Sequence, residues 1–199
     1  MTAEFIEQWG KKLFRIKALI SFGSVEAGDL GGYVEKEDNL AQDGDAWVYG
    51  NARVYGNARV CDDAWVYGNA WVYGNARVCD DAWVYGNARV CDDARVCGDA
   101  WVCDDARVCG DAWVYGNADY LLIGRIGSRF SFTTFFKNKD KGITVSCGCF
   151  LGTIAEFRAK VTDTHGNNKH AKMYNLAADM AELQILGEEH FDKLNTNKS

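Results

Sequence analysis

From Gly44 to Tyr115 the chain is written in six-residue words without an insertion: GDAWVY, GNARVY, GNARVC, DDAWVY and so on, twelve units over 72 residues, with GNADYL (116–121) a degraded thirteenth. A fixed short period decides the architecture before any local propensity does. In every unit Ala and Val stand two apart with Arg or Trp between them. A period of two sends Ala and Val to one face and Arg or Trp to the other. The G-N, D-D or G-D pair that follows supplies a corner, because Gly takes positive φ freely and Asn and Asp tolerate it. Each unit is therefore a very short strand plus a turn. Such strands are stable only when coils stack and bury the Ala/Val face.

The Val-x-x-x-Ala-x pattern resembles the hexapeptide repeat of the left-handed parallel β-helix, the fold of many bacterial acyltransferases. The resemblance implies a mainly β protein in which three units make a triangular coil of eighteen residues. The twelve units then make four coils. Pentapeptide-repeat helices need a period of five, and nothing here repeats at five. The whole chain is also similar to phage and prophage proteins of unassigned function that carry DAWVYGNARVYGNA-type arrays. That likeness extends to the preceding AGDLGGYVEKEDNL and to a tail containing IGSR, TTFF, CGCF and THG.

The flanks divide the chain further. Residues 1–43 read as an N-terminal cap with irregular first coils, since a solenoid end exposes unpaired strand edges. Within them LFRIKAL (13–19) predicts a strand and Thr2–Lys12 a short helix. Residues 44–121 are the β-helix and 122–199 a small C-terminal α+β module. In that module FSFTTFF (130–136) and ITVSCGCF (143–150) predict a β-hairpin. GTIAEFRAKV (152–161) and HAKMYNLAADMAELQIL (170–186) predict helices, with a polar tail after Phe191.

Composition narrows the function classes. With 22 basic and 28 acidic residues the net charge is -6, which argues against a general binder of duplex nucleic acid or anionic membranes. No apolar run approaches the roughly 20 residues of a membrane helix, so the chain reads as soluble and cytoplasmic, in the bacterial host if phage-encoded.

Residues eighteen apart must lie in columns. One outward column holds Trp47, Trp65, Trp83 and Trp101, flanked by Tyr49, Tyr67, Tyr85 and Cys103. A second holds Arg53, Trp71, Arg89 and Arg107, and a third Arg59, Arg77, Arg95 and Trp113. Stacking alone accounts for the aromatic ladder; stacked like charges need a counterweight, which the corner Asp pairs can supply. An exposed aromatic plate also suits a partner, and β-helices of the resembling class commonly form trimers. The expected trimer interface is therefore Trp47, Trp65, Trp83, Trp101, Tyr49, Tyr67 and Tyr85.

Six Cys follow Val, and Cys61, Cys79 and Cys97 share a column. Their backbone spacing permits a disulfide. In-register parallel strands rarely orient Cβ vectors for one, so inert thiols in a reducing compartment are expected. The Asp corners lack the Gly-rich nonapeptide pattern of calcium-binding rolls, so they are expected to be solvated and no metal or cofactor is expected.

An acyltransferase on this fold needs a base and a loop extruded from the coils. The array has no loop, and the His are His165, His170 and His190, all in the tail. Three His for a zinc site of carbonic-anhydrase type are missing from the coils. Cys147-Gly-Cys149 is too tight for a CxxC pair and predicts two side chains on one face of a strand. His165-Gly166 predicts a helix stop. The leading expectation is a non-enzymatic binding or scaffold protein whose C-terminal module recognises a partner. It could serve against host defence, by sequestering a nucleotide signal or blocking a host protein. The expected binding residues are Arg89, Arg107, Arg125, Arg129 and Thr133, at a cleft between subunits, because guanidinium groups pair with phosphate and stack on rings. The alternative is an acyltransferase-like enzyme with His165 as base.

Overall fold

A computed structural model describes residues 1–196. It divides into two compact units: Met1–Asp111 with Tyr115–Asn117, and Ala112–Val114 with the chain from Ala118 onward. Among the described residues no helix is long and apolar enough to cross a membrane.

The first unit opens with an antiparallel hairpin, β1 (Phe5–Gln8) and β2 (Lys11–Lys17), where the sequence predicted a helix. The reason lies in the two residues between the strands. Trp9 and Gly10 both have positive φ, 48° and 76°, the backbone of a two-residue hairpin turn whose twist matches its strands. Strand β3 (Leu30–Val34) pairs with β2 and then runs parallel to the first array strand on its own face, Tyr33 opposite Arg53.

The array itself yields one two-residue strand per unit, β4–β15, from Trp47–Val48 to Trp113–Val114. The registers are eighteen residues apart throughout: Trp47 pairs with Trp65, Trp65 with Trp83, and Trp83 with Trp101. Arg53 pairs with Trp71 and that with Arg89, while Arg59 pairs with Arg77 and that with Arg95. Three units per coil and three parallel sheets follow directly. Inside, Val54 to Val108 and Ala64 to Ala106 are fully buried at every repeat. Only such small side chains fill so narrow a triangle at crystal-like density.

Each coil hangs on the next by backbone bonds: Trp65 N donates to Ala82 O (3.0 Å), Tyr67 N to Val84 O (2.9 Å) and Asn69 N to Gly86 O (2.8 Å). Amides of both the strand and the corner are used, which accounts for the absence of proline from the array. At the corners Asn side chains form their own ladder, Asn51 Nδ2 to Asn69 Oδ1 and Asn69 Nδ2 to Asn87 Oδ1, each 3.3 Å. Gly74 shows why the other corner position is restricted: its φ is +74°, and a Cβ there would lie 2.8 Å from Asp92 N. Where Asp replaces Gly, at Asp62, Asp80, Asp92 and Asp104, it takes the same left-handed backbone. Three of these carboxylates are not merely solvated, contrary to what the sequence predicts: Asp62 Oδ2 accepts from Asp80 N at 3.4 Å. Asp80 Oδ2 accepts from Gly98 N at 2.9 Å and Asp92 Oδ2 from Gly110 N at 3.2 Å, tying one coil to the next.

The cysteines overturn a second expectation. Cys79–Cys97 and Cys91–Cys109 are disulfides. Stacking brings each pair to a Cα separation of 4.6 Å, inside the window a disulfide can span, so parallel in-register coils do orient these side chains suitably.

In the second unit a four-stranded antiparallel sheet runs β16 (Tyr120–Ile126), β17 (Ser131–Lys137), β18 (Ile143–Cys147), β19 (Phe150–Thr153). Helices α1 (Ile154–His165), α2 (Lys169–Leu186) and α3 (Glu188–Thr196) follow. The expected ββαα core is present, with β16 and β19 added and the supposed polar tail helical to its last described residue. Thr153 and Glu156 cap α1 reciprocally, Glu156 N to Thr153 Oγ1 (3.3 Å) and Thr153 N to Glu156 Oε2 (2.8 Å). Gly166 ends α1 with φ 54°, its N–H on Thr162 O, so His165-Gly166 is the helix stop the sequence predicted. Phe157 sits edge-on to Phe135 and Tyr174, 5.7 Å from each, at the centre of this core.

Candidate functional site

The second unit carries a cleft of about 400 Å³ bounded by the β16–β17 turn, the β18–β19 turn, α1 and Tyr174 of α2. That volume lies in the range of small-molecule sites. One face of α1 supplies Phe157, Lys160, Val161, Thr164 and His165, the i, i+3/i+4, i+7/i+8 spacing of a single helix stripe. Phe157 and Val161 are buried and form the floor, so Lys160, Thr164 and His165 stand higher on the wall. The opposite wall is Ser128, Arg129 and Ser131, with Cys147, Gly148 and Phe150 closing one end.

Tyr174 is the centre of this geometry. His165 stacks on its ring at 5.8 Å and 26° and lies 5.8 Å from His170. Burial pushes the Tyr174 hydroxyl up from its usual pKa, the Cys147 thiol hydrogen-bonded to it adds to this, and the positive charge of Arg129 works the other way. At neutral pH it is a neutral phenol facing the thiol. Gly127, at φ +73°, is required beside it, because a Cβ there would overlap the Tyr174 ring and hydroxyl. Arg129 Nη1 lies over Gly148, 3.9 Å from where a Cβ of that residue would be. Lys160 pairs with the exposed Asp163, at 3.3 Å. Among the described residues no carboxylate lines the cleft. The arrangement presents two cations, four hydroxyls and stacked rings to one volume, which suits a ligand with a negative end and a flat body.

The expected binding residues separate. Arg129 lines the cleft. Thr133 is fully buried one layer behind it, its hydroxyl 3.2 Å from Cys147 Sγ. Arg125, exposed in β16 at φ 25°, is not among the lining residues. Arg89 and Arg107 belong to the first unit. There the Arg89 and Arg53 guanidinium groups flank Trp71, 4.9 and 5.0 Å from its ring. That cation–π sandwich separates the two charges in the stack.

Along the aromatic plate Tyr49, Tyr67 and Tyr85 stack at 4.9 Å, and Trp65, Trp83 and Trp101 at 6.3 and 5.4 Å. Trp47 is only 6% exposed, covered by Phe22 of the same chain, whereas Trp83 and Trp101 are 38% and 48% exposed. The open part of the plate therefore begins at Trp65. Cys147 and Cys149 do not share a strand face. Gly148, at φ +63°, turns the chain between them, leaving Cys147 in the cleft wall and Cys149 exposed. The two places where thiol sulfur and a carboxylate converge, Cys79/Asp80/Cys97 and Cys91/Asp92/Cys109, have their sulfurs engaged in disulfides.

Residues 46–62, 58–74, 70–86 and 88–104 match the family model described as YdcK Beta solenoid repeat. The array is a β-solenoid. The matched stretches lie within the coils, so the match speaks for the solenoid and not for the unit that holds the cleft. No curated protein matches the chain.

The polar cleft residues that sequence reading missed are Ser128, Ser131, Lys160, Thr164 and Tyr174. For Lys160 and Thr164 the one signal was the helical spacing from Phe157 to His165, which carries polar groups on the flank of an apolar stripe; Tyr174, on α2, had none. His165 and Cys147 were noticed for other roles.

Proposed function

We propose that this is a non-enzymatic binding protein: a solenoid scaffold whose C-terminal unit holds a small anionic ligand with an aromatic or planar portion, of nucleotide type. The observation that carries this is the convergence of Arg129 and Lys160 with the stacked His165–Tyr174 pair in one cleft free of lining carboxylates. The likeness to phage and prophage proteins extends the proposal to a role against host defence, by sequestering a nucleotide signal. Blocking a host protein is the other form it could take.

Calorimetric titration with a panel of cyclic and linear nucleotides tests the reading. Arg129→Ala removes charge-assisted hydrogen bonds worth roughly 1.5–3 kcal/mol, so affinity should fall at least about tenfold. Arg89→Ala and Arg107→Ala should bind as the wild type does. Loss of binding in those two alone would move the site to the solenoid arginines, and no binding by the wild type would end the nucleotide proposal. The acyltransferase reading instead predicts turnover of an acyl donor that His165→Ala abolishes.

We also propose a homotrimer through the open aromatic plate. Buried aromatic anchors contribute about 2 kcal/mol or more each at interfaces. Changing Trp65 and Trp83 together to Ser should convert a trimeric native mass to a monomeric one with the β-rich circular dichroism retained. An unchanged mass removes this face from the interface, and a monomeric wild type removes the trimer.

A further inference from the structure

We propose that the Cys61–Cys79–Cys97 column is an exchangeable disulfide ladder, in which the Cys61 thiol displaces Cys97 from Cys79 and the bond moves by one coil. The argument is one of equivalence. Cys61 N donates to Val78 O at 3.0 Å, and Cys79 N donates to Val96 O at 3.0 Å. The strands carrying them are in the same register, Val60 opposite Val78 and Val78 opposite Val96. Cys61 thus stands to Cys79 as Cys79 stands to Cys97, and the second relation already holds a disulfide. Cys91–Cys109 shows the same eighteen-residue relation closing a bond on a different column.

The direction of approach also fits. Cys61 lies on the side of Cys79 away from Cys97, and its Sγ reaches toward the next coil, 3.9 Å from Val78 O. Attack on a disulfide sulfur comes from behind the bond that breaks, and a stacked column supplies that line. The Cys61 thiol loses its proton to water, and the thiolate forms a bond to Cys79 Sγ. The Cys79–Cys97 bond breaks, and its electron pair leaves on Cys97 Sγ, which takes up a proton. One disulfide and one thiol are present before and after, so no oxidant or reductant is consumed.

The other columns lack the third member. The position one coil before Cys91 is Tyr73, so Cys91–Cys109 has no adjacent thiol to attack it. Cys103 stands against the Tyr85 hydroxyl at the end of a column of tyrosines. Burial, together with the neighbouring Asp62 carboxylate, pushes the Cys61 thiol up to about 11. Exchange should therefore be slow at neutral pH and quicken about tenfold per pH unit below that value, as the thiolate fraction rises. The ladder would keep its bond while the free thiol moves between half-buried Cys61 and buried Cys97, leaving Cys91–Cys109 as a fixed staple.

Tryptic mapping of the full-length protein, trapped by acid quench and maleimide alkylation, reads the pairing. Cleavage after Arg59, Arg77 and Arg95 places Cys61, Cys79 and Cys97 on separate peptides. The wild type incubated at rising pH should accumulate a Cys61–Cys79 linked peptide, with the Cys91–Cys109 peptide unchanged. Cys97→Ser, oxidised with glutathione disulfide, should give Cys61–Cys79 quantitatively, and Cys61→Ser only Cys79–Cys97. The proposal is overturned if folded Cys97→Ser leaves Cys61 and Cys79 both open to alkylation. It is equally overturned if the wild type yields no Cys61–Cys79 peptide at any pH, or yields it only with Cys91 and Cys109 scrambled as well.

Discussion

A single carboxylate at position 84 should unfold the solenoid. Val84 is fully buried, stacked in register between Val66 and Val102, and the interior around it is lined by Ala and Val. No donor is available to a carboxylate there. The nearest amides are spent on the coil ladder, Tyr67 N on Val84 O and Tyr85 N on Val102 O. An unpaired buried charge belongs with the largest destabilisations known for point changes, above about 4 kcal/mol, against a typical total of roughly 5–15. Because coils contact only their neighbours, damage in the middle also uncouples the coils on either side. Val84→Asp should therefore lose the β-rich circular dichroism or its cooperative urea transition at pH 7. Val84→Thr, nearly the same shape with one hydroxyl, should cost about 1–3 kcal/mol. The sign of the pH effect follows from burial, which raises the folded-state pKa of an acid. The protonated side chain is the one the fold tolerates, so the variant is less destabilised near pH 4 than at pH 7. A Val84→Asp protein with the wild-type urea midpoint would mean that this position does not face the interior.

The solenoid was legible because one physical signal is written twelve times. Each Ala-x-Val repeats the inward/outward alternation, and the uninterrupted spacing fixes every column from Trp47 to Arg107. Features written once were harder to read. The hairpin at Phe5–Lys17 depends on Trp9 accepting a left-handed backbone, which is rare for so bulky a residue. Strand β16 hides behind Gly124 and Arg125, where the register shifts between Ile123 and Ile126 and breaks the alternation. The disulfides turned on 4.6 Å Cα separations that stacking produces but strand-pair precedent disfavours. The cleft was partly legible: Arg129 stood out as a basic residue of a hairpin, whereas Tyr174 joins it only because α2 packs beside α1. Nothing in local periodicity brings residues 129, 147, 165 and 174 together.

The apolar packing of α1 on α2 is tied at its polar edge by one arginine, and removing it should be the most damaging polar substitution in the second unit. Arg158 Nη2 donates to Asp179 Oδ1 at 2.7 Å and to Glu182 Oε2 at 2.8 Å, while Nη1 reaches Asn175 O and Oδ1 at 3.3 Å. Residues 175, 179 and 182 are one stripe of α2, so a single guanidinium fork holds two turns of the helix. The partners differ in weight. Asp179 is 36% exposed, and water replaces much of what it loses; Glu182 is 8% exposed and cannot be rehydrated without moving the helix. Stripping the partner from a buried carboxylate costs about 3–5 kcal/mol, whereas an exposed pair is worth less than about 1 kcal/mol. Arg158→Ala should therefore destabilise the unit by most of the larger figure in urea unfolding followed by the helical circular dichroism. Asp179→Asn should fall within about 1 kcal/mol of wild type. Replacing Glu182 by Leu in the Arg158→Ala background should restore a large share of the loss, since the stranded charge is then gone. If the double variant is no more stable than Arg158→Ala, the cost lies in the lost packing of the arginine stem and not in the carboxylate left behind.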